Sequence, residues 1–122
     1  MDFKNAKELL DFCQKLNCPI SDIMKQRECT LAETSLEDIY AKMDHALSIM
    51  RESASSPIQE PKKSIGGLIG GEARLADLHR ARGAAICGSV LSRAITYSMA
   101  VLETNTSMGL IVAAPTAGSS GI

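Results

Sequence analysis

Apolar residues return at helical spacing almost from the start of the chain. Asn5 followed by Glu8 has the spacing of a capping box, and Ala6, Leu9, Leu10, Cys13 and Leu16 then share one helical face. Asn17-Cys18-Pro19 ends that helix, because proline disfavours helix at the residue before it and donates no backbone hydrogen bond. Ser21 is the expected cap of a shorter second helix to about Glu28, with Ile23 and Met24 as its apolar members, and residues 30–34 read as a break. Ser35 with Asp38 then opens the clearest amphipathic run. Leu36, Ile39, Tyr40, Met43, Leu47 and Met50 lie on one side; Glu37, Lys42, Asp44 and Arg51 lie on the other.

The periodicity fails over residues 53–64, which carry Pro57, Pro61, several serines and a lysine pair and read as a linker. Four glycines in the seven residues Ile65 to Gly71 follow. Glu72 to Arg82 reads as a helix closed by Gly83, and Ala84 to Leu102 as a longer one. The longer helix is apolar around most of its circumference, with Ser92, Arg93 and Thr96 as its polar strip, so it expects protein on most sides. The pattern therefore predicts a mostly α fold of about five helices joined by a Pro/Ser linker and Gly-rich loops. Residues 1–52 form an N-terminal helical segment, 53–64 the linker, and 65–122 the start of a second domain. The apolar, glycine-rich stretch Gly109 to Ile122 lies at the C-terminus, where chains are usually polar, so the expectation is an incomplete part of a larger all-α domain.

Composition narrows the partners. The chain has 122 residues, 3% aromatics and no Trp, so its core must come from Leu, Ile, Val, Ala and Met. A net charge of -1 gives no electrostatic footprint for nucleic acid. No apolar run reaches the roughly 18 residues of a membrane span, and the N-terminus lacks the basic-then-apolar pattern of a signal peptide. The four cysteines are then expected to be free thiols in a reducing cytoplasm.

Four features could carry chemistry. The glycine segment precedes a helix, as phosphate-binding loops do, but Glu72 and Ala73 stand where a phosphate loop needs Lys and Ser/Thr. Cys13, Cys18 and Cys29 are too widely spaced for a cluster or zinc site, and Cys13 and Cys87 read as small core hydrophobes. His45 and His79 read as exposed polar positions, and no residue is assigned as catalytic. The tail Pro115 to Gly121 combines small residues with hydroxyls, a pattern that lets backbone N–H groups approach a carboxylate.

Three stretches, in order and in register, resemble the iron–sulfur-dependent L-serine dehydratases, in particular their α chain or α domain. The first is Glu8-Leu9-Leu10-Asp11-Phe12-Cys13 followed by Pro19-Ile20-Ser21-Asp22-Ile23-Met24 and then Arg27-Glu28. The second is Gly66 to Ala73, similar to the family pattern S-G-L-x-G-G-D-A. The third, Asn105 to Ile122, is similar to N-A-A-M-G-x-I-V-A-A-P-T-A-G-S-C-G-I over its whole length. The resemblance implies a lyase of amino-acid degradation and gluconeogenesis that turns L-serine into pyruvate and ammonia with a 4Fe–4S cluster. It also implies that Asn105, Thr116, Gly118 and Ser119 hold the substrate carboxylate and shape the pocket. Ser120 stands where many relatives have Cys, Thr106-Ser107 replace an Ala pair, and none of the four cysteines matches a cluster ligand. The cluster ligands are therefore expected in the remainder of the α chain, with a β chain or domain as a further partner and the 122-residue chain alone inactive. The alternative is a truncated, non-catalytic helical module that only binds a partner.

Overall fold

A computed structural model of the chain describes residues 2–83 and 85–113. It contains five helices: α1 (Ala6–Leu16), α2 (Ile20–Leu31), α3 (Leu36–Gln59), α4 (Glu72–Ala81) and α5 (Gly88–Thr106), with no strand among the described residues. The mostly α reading is thus met. Two compact units divide the chain, Met1–His45 and Ala46–Ile122, and α3 runs from one into the other.

In the first unit α1 packs on α2. The Asn5 side chain accepts from the Glu8 amide at 3.0 Å, and the Glu8 carboxylate accepts from the Lys4 amide at 2.7 Å, so the capping box forms. Asn17 ends α1 in the left-handed region, with its own N–H and that of Cys18 closing onto the Gln14 and Cys13 carbonyls. This is a Schellman motif built on Asn in place of Gly. The expected start of α2 is corrected: Pro19, not Ser21, is its N-cap, and no side chain caps it. Proline fixes φ near its helix-compatible value, and its carbonyl accepts from the Asp22 amide at 3.0 Å, so the helix can begin at once. The apolar stripe of α1 contributes no buried residue; Ile23 of α2 is the one fully buried hydrophobe among the described residues of this unit.

The second unit overturns the boundaries expected for residues 53–59 and 84–106. Helix α3 continues through the expected linker to Gln59, with Pro57 inside its last turn. Pro57 has no N–H to give the Ser53 carbonyl four residues back. The Thr104 hydroxyl of α5 donates to that carbonyl at 3.0 Å instead, in a buried contact, so the helix crosses the proline without an orphaned acceptor. Helix α5 begins at Gly88, later than the expected Ala84, and runs on to Thr106. Cys87 is its exposed N-cap and not a core residue. The expected cover on most sides of α5 is not found among the described residues, and Thr96 of the expected polar strip lies inside. Thr96, Ala100, Glu103 and Thr104 are buried, while Ile86 is 99% and Val90 83% exposed. Small Ala73 and Ala100, both fully buried where α4 packs on α5, allow close approach. The Thr96 hydroxyl is satisfied by its own helix, donating to the Ser92 carbonyl at 2.9 Å, so burying it costs little.

Candidate functional site

The glycine-rich segment folds into a loop that closes on itself. The Ser64 amide donates to the Ile69 carbonyl at 2.8 Å, the Ile69 amide to the Ser64 hydroxyl at 3.2 Å, and the Gly67 amide to the Ser64 carbonyl at 2.9 Å. The Gly70 amide donates to the Glu72 carboxylate at 2.7 Å. These amides are spent within the chain, which leaves little for a phosphate to bind. At Gly70 an added Cβ would lie 2.7 Å from the Lys62 carbonyl oxygen and 2.9 Å from Lys63 Cα, with φ at +154°. Only glycine lets the segment 62–63 lie against the loop.

The N-terminus of α4 receives a carboxylate from α5. Glu103, 1% exposed, accepts from the Ala73 amide at 2.7 Å through Oε1. A helix N-terminus favours negative charge, so Glu103 sits where the α4 dipole compensates it. Its other oxygen, Oε2, is buried and has no partner among the described residues. A second carboxylate already stands there, in Glu72 of the first turn, so this N-terminus is unsuited to an added anion.

Two residues beyond Glu103 lies Asn105, half-buried in the last turn of α5. The helix ends in a second Schellman motif: Met108 takes φ +62°, its amide donates to the Asn105 carbonyl at 3.1 Å, and the Gly109 amide donates to the Thr104 carbonyl at 2.8 Å. A Cβ at Gly109 would meet Thr104 Cγ2 at 2.6 Å, so Gly109 is required for the turn. The chain then passes Leu110 towards residues 114–122. The carried-over positions Thr116, Gly118 and Ser119 lie outside the described residues, as does Ser120.

A cavity of about 230 Å³ opens beside this turn. Ser53 and Ser56 of α3, Lys62, Thr104 and Leu110 line it, with Glu52 at its edge. Composition and spacing did not single out Lys62 or Glu52, because neither belongs to a motif; their meeting with Thr104 depends on the packing of α3 against α5.

A larger groove of about 630 Å³ lies in the first unit, lined by Cys18, Asp22, Lys25, Cys29 and Leu36 among others. Its charges are spoken for. Lys25 bonds Asp22 at 2.7 Å and the Tyr40 hydroxyl at 3.1 Å, contacts that hold its ammonium above the ordinary lysine range. Burial, with Cys13 and Asp22 adding to it, pushes the Cys18 thiol up, which disfavours the reactive thiolate. Among the described residues no three His, Cys, Asp or Glu side chains are placed to hold a metal. Cys13, Cys18 and Cys29 of the first unit and Cys87 of the second are free thiols. His45 and His79 are exposed. No described helix is long and apolar enough to cross a membrane.

Residues 15–122 match the family model described as "Serine dehydratase alpha chain". The chain is 38% identical over 120 residues to a protein of Bacillus subtilis (strain 168) named "Probable L-serine dehydratase, alpha chain", covering 98% of this chain and 40% of that protein. It is 34% identical over 117 residues to the "L-serine dehydratase, alpha chain" of Peptoniphilus asaccharolyticus, covering 96% of this chain and 40% of that one. The chain thus spans about 40% of the length of the curated relatives it matches. No solved structure matches it.

Proposed function

We propose, because this chain belongs to the serine dehydratase alpha chain family, that it is the segment of an L-serine dehydratase α chain that supplies one wall of the serine pocket. The observation that carries this reading is the ungapped motif from Asn105 to Ile122, within a family match that covers nearly the whole chain. The reaction removes the α-proton and the β-hydroxyl of L-serine as water. The resulting aminoacrylate takes up water and breaks down to pyruvate and ammonia.

In this reading Asn105, at the end of α5, with Thr116, Gly118 and Ser119 beyond it, holds the substrate carboxylate. The Schellman turn at Met108-Gly109 closes the helix directly after the first of these residues. Glu103 and Thr104 support that turn: one binds the start of α4, the other the carbonyl freed by Pro57 in α3. The described cysteines do not fit a 4Fe–4S cluster, so its ligands belong on this reading to the remainder of the α chain. A β chain and a cytoplasmic location complete the proposal.

The test joins residues 1–122 in frame to the part of the Bacillus subtilis α chain that follows the matched segment, with that organism's β chain, under anaerobic conditions. Pyruvate should form from L-serine with the joined protein and not with the 122-residue chain alone. An inactive joined protein beside an active all-Bacillus control, or turnover by the short chain, refutes the reading. The exposed Ile86 before α5 and Val90 on it also favour the second reading, a non-catalytic binding module, which predicts an inactive joined protein.

A further inference from the structure

The turn that ends α1 brings two thiols together. Asn17 in the left-handed region sends the chain back on itself, and the Cys18 amide donates to the Cys13 carbonyl at 3.1 Å. Cys13 and Cys18 therefore occupy the two positions of a Schellman motif whose side chains meet, a contact usually made by a pair of apolar residues. Standard bond lengths from that nitrogen and that oxygen to their own Cα atoms cap the Cα separation at roughly 7 Å, and the bends along the path shorten it. A disulfide needs Cα atoms about 4.4–6.8 Å apart with the Cβ atoms facing each other. The turn meets both conditions. The thiols also feel one another, because after burial it is the charge of Cys13 that pushes the Cys18 thiol up. Both side chains are half-buried, so a small oxidant can reach them.

Cys29 lines the same groove as Cys18, but it lies nine residues beyond the first residue of α2. That is about 13 Å along the helix axis, out of disulfide reach. The elbow between α1 and α2 is itself lightly held. Helix α1 contributes no buried residue, Asn17 adopts a φ of 48° that side chains other than glycine enter at a cost, and α2 begins on Pro19 without a side-chain cap. A covalent link between Cys13 and Cys18 closes this turn from both ends.

We propose that Cys13 and Cys18 are an oxidisable dithiol, closed to an intramolecular disulfide by a small disulfide such as oxidised glutathione, and that the bond stiffens the α1–α2 elbow. The Cys13 thiolate attacks one sulfur of oxidised glutathione. A Cys13–glutathione bond forms, the oxidant's own S–S bond breaks, and one glutathione thiolate leaves. The Cys18 thiolate then attacks the Cys13 sulfur and the second glutathione thiolate leaves. Two protein thiols are oxidised, one glutathione disulfide is reduced, and the two thiol protons end on the two glutathiones. Cys13 opens the reaction because the Cys18 thiol is held up; capping Cys13 removes its charge, and with it one of the causes that hold Cys18 up. The inference uses the first unit alone and does not rest on the dehydratase reading.

The test equilibrates the 122-residue chain in glutathione buffers of graded ratio, traps the thiols with acid and alkylation, and maps the bonds by mass spectrometry. Cys13–Cys18 should be the intramolecular disulfide that forms. Its effective concentration against glutathione should be at least about tenfold higher than in urea, where the turn is lost. Cys18→Ser should abolish the bond and leave Cys13 carrying glutathione, whereas Cys29→Ser should leave the bond unchanged. In the oxidised chain the Asn17 and Cys18 amides, which make the hydrogen bonds of the turn, should exchange with solvent at least about tenfold more slowly. A bond from Cys18 to Cys29 or Cys87, glutathione adducts without an intramolecular bond, an equal effective concentration in urea, or unchanged exchange of the two amides overturns the proposal.

Discussion

Thr104 and Pro57 solve one problem together: a proline inside α3 frees a carbonyl, and a hydroxyl 51 positions away from that carbonyl takes it. Thr104→Val should therefore destabilise the second unit by about 1–3 kcal/mol, since it leaves a buried acceptor unpaired. Adding Pro57→Ala should recover part of that loss, because alanine supplies the missing N–H within the helix. Urea denaturation of the two single variants and the double variant checks this, and additive losses would show that the two residues are uncoupled. The sequence offered the proline but not its remedy. Thr104 looks like any threonine near a helix end, and only the approach of α5 to α3 gives its hydroxyl this task. Asn105 illustrates the opposite case. It is legible as the first residue of the family motif, and Asn105→Ala should lower kcat/KM of the joined enzyme by at least about tenfold while the chain's own unfolding stays unchanged.

At the scale of helices, side-chain caps located the starts of α1 and α3, while the starts of α2 and α5 and the end of α3 lie elsewhere than the local signals put them. The N-cap bonds at Asn5/Glu8 and Ser35/Asp38, side-chain oxygen to the amide three residues on, form as the spacing requires. At the second cap the Ser35 hydroxyl, followed by that of Thr34, holds the Asp38 carboxyl below its usual range. A lowered folded pKa contributes stability that is present above the unfolded value, about 3.9, and is lost as pH falls through the lower folded value. The start of α3 should therefore lose amide protection only below about pH 4, and Ser35→Ala should move the Asp38 titration upwards. Amide hydrogen exchange reads the first and NMR titration of the Asp38 carboxyl carbon the second. The packed face of α5 is not legible in the sequence, because the helix is apolar nearly all round and its periodicity cannot say which side packs. Packing on α4 decided it, selecting the side with small Ala100 and with the carboxylate of Glu103, which α4 needs at its N-terminus. Val90→Lys should accordingly leave the stability of this chain within about 0.5 kcal/mol, while Ala100→Leu should cost about 1–3 kcal/mol by overpacking. The reverse order in thermal melts would put Val90, and not Ala100, on the packed side.

At the scale of the whole chain, the described interior is small: Ile23, Ala73 and Ala100 are its fully buried hydrophobes, while large apolar side chains such as Ile86, Val90 and Leu68 stay exposed. Exposed apolar surface of this kind marks places of contact with other protein. By itself the sequence determined the helical class, the starts of α1, α3 and α4 and the family, because capping, periodicity and ungapped motifs are local and survive in one dimension. The tertiary structure alone decided which face of α5 is inside, how α3 passes its proline, and that Lys62, Ser56 and Thr104 share a cavity. Those outcomes depend on side chains tens of residues apart coming within hydrogen-bond or packing distance, a condition that no local spacing along the chain encodes.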